Sequence, residues 1–109
     1  MTVHELLQLP DLTALCLEDG EREIDGVYIG DLLSWVMGRA QSGNAWITIM
    51  SNINVLAVAS LADVSCVILA EGVTLSEELL TAAKEKGINV LSSSKPAYET
   101  ARLLFGSLS

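Results

Sequence analysis

The residues that could do chemistry follow several strand-like runs and form no compact motif. They comprise hydroxyls, amides, two carboxylates and one lysine: Asp31, Ser51, Asn52, Glu71, Ser92, Ser93, Ser94 and Lys95. In parallel α/β sheets, ligands bind beyond the carboxyl ends of the strands. If the runs form such a sheet, these are the candidate ligand-binding residues.

The stretch SSSKP, residues 92–96, is the best candidate for an anion site. Serine hydroxyls, the N–H groups of a following helix and Lys95 could converge on a phosphate or a carboxylate. The same stretch is also an ordinary way to begin a helix, with Pro96 near its start, and both interpretations are open. The sequence has no glycine-rich phosphate loop of the GxxxxGKT or GxGxxG kind, so nothing in it indicates ATP or NAD.

The sequence shows no paired nucleophile and base. His4, the only histidine, lies far in sequence from these runs, and Cys16 and Cys66 lie fifty positions apart in apolar stretches. Two cysteines and one histidine cannot build an ordinary four-ligand zinc site, and general acid catalysis would fall on Asp31 or Glu71 alone. We therefore predict a protein that is not an enzyme and uses neither a metal nor a cofactor. The cysteines are predicted to be buried free thiols, which suits a reducing cytoplasm.

Residues 30–38, GDLLSWVMG, place Asp31 directly before an apolar run that contains Trp35. A carboxylate at a helix start is usually an N-cap, which is the predicted role of Asp31. On a helical wheel one apolar stripe is suited to packing on a sheet; it comprises Leu32, Leu33, Val36, Met37 and Ala40. Trp35 lies off this stripe. It therefore needs another cover, either the N-terminal segment, which we favour, or a second subunit.

Composition and charge restrict the partners. Of the 109 residues 50% are hydrophobic and only 18% are charged, against roughly 25% charged in a typical soluble domain. The chain is short of polar groups to cover its surface, which predicts association, most simply a homodimer. The net charge of −8 argues against nucleic acid and against an anionic membrane surface.

Residues 40–62 carry no charge, and a membrane span needs about 20 mainly apolar residues. Polar groups at 41–44 and 51–54 divide this stretch into pieces of soluble-core length, so we predict no transmembrane helix. The first residues, MTVHELLQLPD, lack the basic and apolar regions of a signal peptide. A cytoplasmic location is therefore predicted.

Strand and helix patterns alternate along the chain. Strand-like runs are 13–17, 26–30, 45–50, 65–70 and 88–91, and helical patterns are 2–9, a run after Asp31, 53–62, 76–86 and a last one from Pro96 to about Phe105. Thr2 and Glu5 have the spacing of a capping box. Successive strand–helix units with short connections predict one α/β domain over residues 1–109. We expect a mainly parallel sheet with helices on both faces.

The helical pattern at 53–62, INVLAVASLA, has large apolar residues all around its wheel. A helix that is apolar all round must be buried on both sides. We expect the sheet on one side and the same helix of a second subunit on the other, with cover from the N-terminal third as the alternative. The predicted dimer interface comprises Trp35, Ile53, Val55, Leu56, Val58, Ala59 and Ala62.

Three stretches, 26–38, 43–73 and 83–101, resemble the small stand-alone DRTGG-domain proteins, and GDLLSWVMG is the most specific part. The DRTGG domain is similar to the N-terminal domain of HPr kinase/phosphorylase and to a middle region of some phosphotransacetylases. The resemblance implies a non-catalytic accessory or regulatory α/β domain that commonly self-associates. Stand-alone members in anaerobic bacteria are often encoded near iron-hydrogenase subunits and histidine-kinase-like ATPases, which implies a link to redox or signalling complexes.

One part of the family pattern is missing. Relatives often have Asp-Arg after one strand and Thr-Gly-Gly after the next, where this chain has Ser51-Asn52 and Ala70-Glu71-Gly72. The missing arginine and the added Glu71 disfavour an anionic ligand at that position. Our leading hypothesis is a regulatory module that acts through homodimerisation and binding of a protein partner. The alternative is a sensor of an anionic small molecule or nucleotide that uses the strand-end loops.

Overall fold

The computed structural model describes the backbone of residues 1–108 and the side chains of residues 1–106. The strands are β1 Leu12–Cys16, β2 Val27–Ile29, β3 Ala45–Thr48, β4 Cys66–Leu69 and β5 Val90–Ser93, and the helices are α1 Val3–Leu6, α2 Leu33–Arg39, α3 Ile53–Ala62, α4 Glu77–Lys86 and α5 Ala97–Leu108. The sheet has the order β1-β5-β4-β3-β2. β1 is antiparallel to β5 and the other pairs are parallel. The predicted α/β fold with a mainly parallel sheet is confirmed.

The two central strands, β3 and β4, are buried along their whole length. Their side chains alternate between the two faces of the sheet, as strand geometry requires. Trp46 and Val67 face α2, α3 and α4, whereas Ile47 and Ile68 face α1 and α5. Helices therefore cover both faces, which explains why these strands are apolar at nearly every position.

The segment 17–26 runs along the amino edge of the sheet, because antiparallel β1 ends there and parallel β2 begins there. The Arg22 guanidinium pairs with the Asp63 carboxylate at 3.1 Å, and Asn44 donates from Nδ2 to the backbone oxygen of Asp25 at 2.6 Å. Hydrogen bonds from Arg22 and Ser42 lower the pKa of Asp63. These contacts attach the segment 17–26 to the end of α3 and to the start of β3.

Only the inner side of α3 is buried within this chain, and burial of its outer side against a second subunit stays a prediction. Its inner side packs on the sheet between α2 and α4, which buries Val55, Leu56, Val58 and Ala59 within this chain. Four residues of the predicted dimer interface are therefore core residues, because two neighbouring helices flank α3 and leave only a narrow outer side. That outer side is exposed, with Leu61 73% accessible and Ile53 half-exposed. Ala62 is partly buried.

The predicted cover of Trp35 by the N-terminal segment is wrong. Val3 and Leu6 of α1 pack on the opposite face of the sheet, beside α5. Trp35 is 53% accessible, and the guanidinium carbon of Arg39 lies 3.8 Å from its ring centroid. The apolar stripe of α2 is narrower than predicted, because Leu32 and Met37 are exposed as well.

The Thr2–Glu5 capping box and the two buried free cysteines are confirmed. Burial raises the pKa of the Cys66 thiol to about 12 and also raises the pKa of Cys16. A thiol reacts through its thiolate, which the raised pKa disfavours. The role of Cys66 is therefore packing in the core. No helix in the described part of the chain is long and apolar enough to cross a membrane.

Candidate functional site

Asp31 links the turn after β2 to the end of β3. Its Oδ1 atom accepts a hydrogen bond from Thr48 Oγ1 at 2.7 Å and another from the Ile49 N–H at 3.0 Å. The N-cap of α2 is Leu32, which makes no side-chain cap, so the predicted capping role of Asp31 is wrong. The strand end beside it offers two donors, and the carboxylate binds them instead of the helix.

Trp46 supports the same turn from inside the core. Its indole Nε1 donates to the Gly30 backbone oxygen at 2.9 Å, although the side chain is fully buried. Gly30 in turn donates from its N–H to the Ile47 oxygen at 3.1 Å. The start of α2 is therefore held against β3 through both backbone and side-chain contacts.

The loops after β3 and β4 use their polar groups internally. Asn52 Oδ1 accepts from the N–H groups of Asn54 at 2.9 Å and Val55 at 3.3 Å, and so caps α3. Glu71 and Gly72 adopt positive φ angles of 62° and 72°. Their N–H groups donate to the carbonyl oxygens of Lys95 and Ser93 respectively. A loop that cradles an anion presents free N–H groups, whereas these two are already bound.

The three serines of SSSKP also bind their own chain. Ser92 Oγ donates to the Val73 oxygen at 3.0 Å, and Ser94 Oγ donates to Asp11 Oδ1 at 3.1 Å. Ser93 is fully buried and hydrogen-bonded to Thr100 of α5 at 2.7 Å, so its predicted ligand contact is wrong. Ligand binding by Ser92 and Ser94 stays a prediction.

The carboxyl edge thus separates the predicted ligand residues into two groups. Glu71 and Lys95 lie together after β4 and β5, as their backbone hydrogen bond shows. Asp31 lies at the end of β2, and β3 and β4 intervene. At a strand spacing of roughly 4.8 Å, β2 and β5 are about 14 Å apart. One small ligand therefore cannot contact both Asp31 and Lys95, and the two residues do not belong to one compact site.

Two surface features are more prominent than the predicted loops. Exposed large apolar side chains concentrate at the carboxyl ends of β2 and β3 and at the helix starts that follow; they are Ile29, Leu32, Trp35, Ile49 and Ile53. An open groove of about 440 Å³ lies beside the start of α5, lined by Asp11, Lys95, Tyr98, Glu99, Arg102 and Leu103. The off-stripe position of Trp35 indicated the first feature. The spacing of Lys95, Tyr98 and Arg102 could have indicated the second.

Within the residues that the structure describes, no three His, Cys, Asp or Glu side chains lie close enough to hold a metal ion. A sequence model of the DRTGG domain matches residues 11–107. This chain belongs to the DRTGG-domain family. The resemblance read from GDLLSWVMG and the stretches around it is confirmed.

This DRTGG domain has the same fold as a crystal structure of the CBS and DRTGG domains of the regulatory region of the Clostridium perfringens pyrophosphatase, in complex with its activator, diadenosine tetraphosphate. The TM-score is 0.74 and the sequence identity is 18%. The match covers 94% of this chain and 45% of that chain, so this DRTGG domain spans less than half of the pyrophosphatase region. A comparison with curated proteins finds no significant match.

Proposed function

We propose that this DRTGG domain is a non-catalytic regulatory module that forms a homodimer through the exposed face of α2. The single observation behind this proposal is the half-exposed Trp35 on that face. Tryptophan is among the residue types most enriched in interface hot spots. A DRTGG domain in the regulatory region of a pyrophosphatase supports the regulatory role.

Exposed apolar side chains lie at the amino end of α2 and beside it. Leu32 and Trp35 are each more than half accessible, and Ile49 and Ile53 add exposed apolar surface at the same end of the sheet. Exposed apolar surface costs free energy in water at roughly 25 cal/mol per Å². Covering such a face with a second protein surface removes that cost.

The same face is self-complementary in charge. Asp31 lies just before the amino end of α2, and Arg39 is the last residue of the helix. A two-fold axis across the middle of α2 would bring the amino end of one copy, with Asp31, to the carboxyl end of the other, with Arg39. These opposite charges favour a second copy of this chain over an unrelated partner.

Two separate variants, one with the charge of Asp31 reversed and one with the charge of Arg39 reversed, test this arrangement. We expect wild type to sediment as a dimer at micromolar concentration, and Asp31→Lys or Arg39→Glu alone to sediment as monomers, because like charges then meet across the axis. An equimolar mixture of the two variants should form a heterodimer, since each new charge faces an opposite one. Trp35→Ser should raise the dimer dissociation constant at least about 30-fold.

Phe105→Ser is the matched control, because Phe105 is an exposed aromatic residue of α5 on the other face of the sheet. It should leave the dimer unchanged. Circular dichroism confirms that each variant is folded, which matters for Asp31→Lys because it removes the acceptor for Thr48 and Ile49. A monomeric wild type, or single variants that dimerise as wild type does, would contradict the proposal. The hydrogenase or signalling complex as a further partner stays a prediction.

A second function, sensing of a nucleotide or another anionic small molecule, is favoured by a separate observation. Lys95 and Arg102 line one groove, and neither makes an ion pair within the described residues. The related pyrophosphatase region binds a nucleotide activator. In a thermal-shift screen over nucleotides and acyl phosphates, we expect a ligand at 100 times its Kd to add about 2.7 kcal/mol of stability. Lys95→Ala should reduce that shift, and stabilisation by none of the compounds would contradict this function.

A further inference from the structure

The groove beside α5 has the dimensions of a small-molecule site. Its volume of about 440 Å³ lies within the range of about 300–1,000 Å³ that such sites occupy. It lies between Asp11, just before β1, and the first turns of α5. Its polar lining therefore comes from Asp11, Lys95 and α5, and not from the serines of the preceding loop.

Three groove residues form one row as the chain enters α5. Tyr98 and Arg102 are four residues apart on α5 and so are neighbours on one helix face, and Lys95, just before the helix begins at Ala97, lines the same groove. The guanidinium carbon of Arg102 lies 6.0 Å from the centroid of the Tyr98 ring. A single ligand can therefore contact the ring and the guanidinium together.

Both cations in this row are available to a ligand. Within the described residues neither Lys95 nor Arg102 makes an ion pair, although Asp11 and Glu99 line the same groove. Asp11 already accepts the hydroxyl hydrogen bond of Ser94. The amino end of α5 adds a partial positive charge to the same place. These groups suit an anion with more than one charged oxygen, such as a phosphate chain.

Tyr98 suits a planar ring on the same ligand. The residue is 70% accessible, and because the Arg102 guanidinium lies over one face of the ring, a planar group would stack on the other. A base stacked on an aromatic side chain contributes about 1–3 kcal/mol, whatever the base. The row thus combines a stacking surface with two cations.

We propose that this groove binds a nucleotide, with its base stacked on Tyr98 and its phosphates bound by Lys95 and Arg102. The inference rests on the second function above and places the ligand in the groove, away from the strand-end loops after β2, β3 and β4. The carboxylate of Glu99, which lines the groove, opposes the phosphates and limits the affinity.

Calorimetric titration with ATP, adenosine and inorganic tripolyphosphate separates the two halves of recognition. Lys95→Gln and Arg102→Gln should each weaken ATP and tripolyphosphate binding about tenfold or more and leave adenosine unchanged. Tyr98→Ala should weaken ATP and adenosine but not tripolyphosphate. Glu99→Gln should tighten ATP binding, and Lys84→Gln, an exposed lysine of α4 outside the groove, should change none of the three.

Each other result overturns a defined part of the proposal. ATP binding that all three groove variants leave unchanged overturns the groove as the site, while the second function stands. Stabilisation by an acyl phosphate without any ATP binding overturns the nucleotide as the ligand class. The second function and this inference fail together if no nucleotide or acyl phosphate binds.

Discussion

Replacing Asn89 with alanine is expected to lower the free energy of unfolding by about 3 kcal/mol. The Asn89 side chain is 4% accessible and makes four hydrogen bonds. Oδ1 accepts from the N–H groups of Glu18 and Asp19, and Nδ2 donates to the oxygens of Asp19 and Ser65. Alanine would leave the N–H groups of Glu18 and Asp19 without these acceptors at a partly buried site, although the Asp19 oxygen keeps its hydrogen bond from the Arg22 N–H, and would release the amino-edge segment 17–26.

Chemical denaturation followed by circular dichroism measures this loss, which should also lower the Tm by roughly 12 °C or more. Asn54→Ala, at an exposed position of α3, is the matched control and should stay within about 0.5 kcal/mol of wild type. Asn89→Asp keeps an acceptor for the two N–H groups but sets a carboxylate oxygen against the carbonyl oxygens of Asp19 and Ser65, so it should also lose stability. A loss for Asn89→Ala no larger than that of the control would show that water replaces the side chain.

Replacing Trp46 with alanine is expected to cost about 4 kcal/mol of stability. Trp46 is the largest of the fully buried side chains. It projects from β3 and packs against the helices α2 to α4. Alanine would leave a cavity in the core and would also remove the hydrogen bond to Gly30 at 2.9 Å. A typical domain has only 5–15 kcal/mol to lose, so this variant should lose a large part of its stability.

Trp46→Phe keeps one aromatic ring in the core and loses the indole N–H together with the volume of the second ring. We expect about 2–3 kcal/mol of lost stability, less than for alanine, measured by the same denaturation. The variant should also weaken the homodimer proposed above, because Gly30 directly precedes Asp31 and the start of α2. Trp35→Ala, at a half-exposed position, should have little effect on monomer stability. A similar loss for both tryptophans would contradict the assigned roles.

Asp31 shows how far the sequence predicts a local role. A carboxylate before a helical pattern is a good N-cap candidate, and α2 does begin directly after it, with Leu32 as its N-cap residue. The carboxylate nevertheless binds Thr48 and Ile49. Those donors are 17 and 18 residues away in sequence and become neighbours only because β2 pairs with β3. No local pattern contains that pairing.

The helix at 53–62 shows the same limit for packing. Its bounds as predicted agree with α3, because Asn52 caps one end and the apolar run continues to Asp63. How much of the helix surface is buried within one chain depends on α2 and α4, which pack on either side of it. The prediction counted the apolar residues correctly but assigned Val55 and Leu56 to a second subunit.

The sequence by itself determined the order of strands and helices, the mainly parallel α/β class, the buried thiols and the DRTGG family. These depend on local periodicity, capping residues and motifs, which act over a few neighbouring residues. The tertiary structure alone decided the partners of Asp31 and Asn89, the lack of an N-terminal cover over Trp35 and the groove that Asp11 forms with the start of α5. Those properties depend on which strands become neighbours in the sheet and which helices share a face, and that is decided by the energy of packing the whole chain.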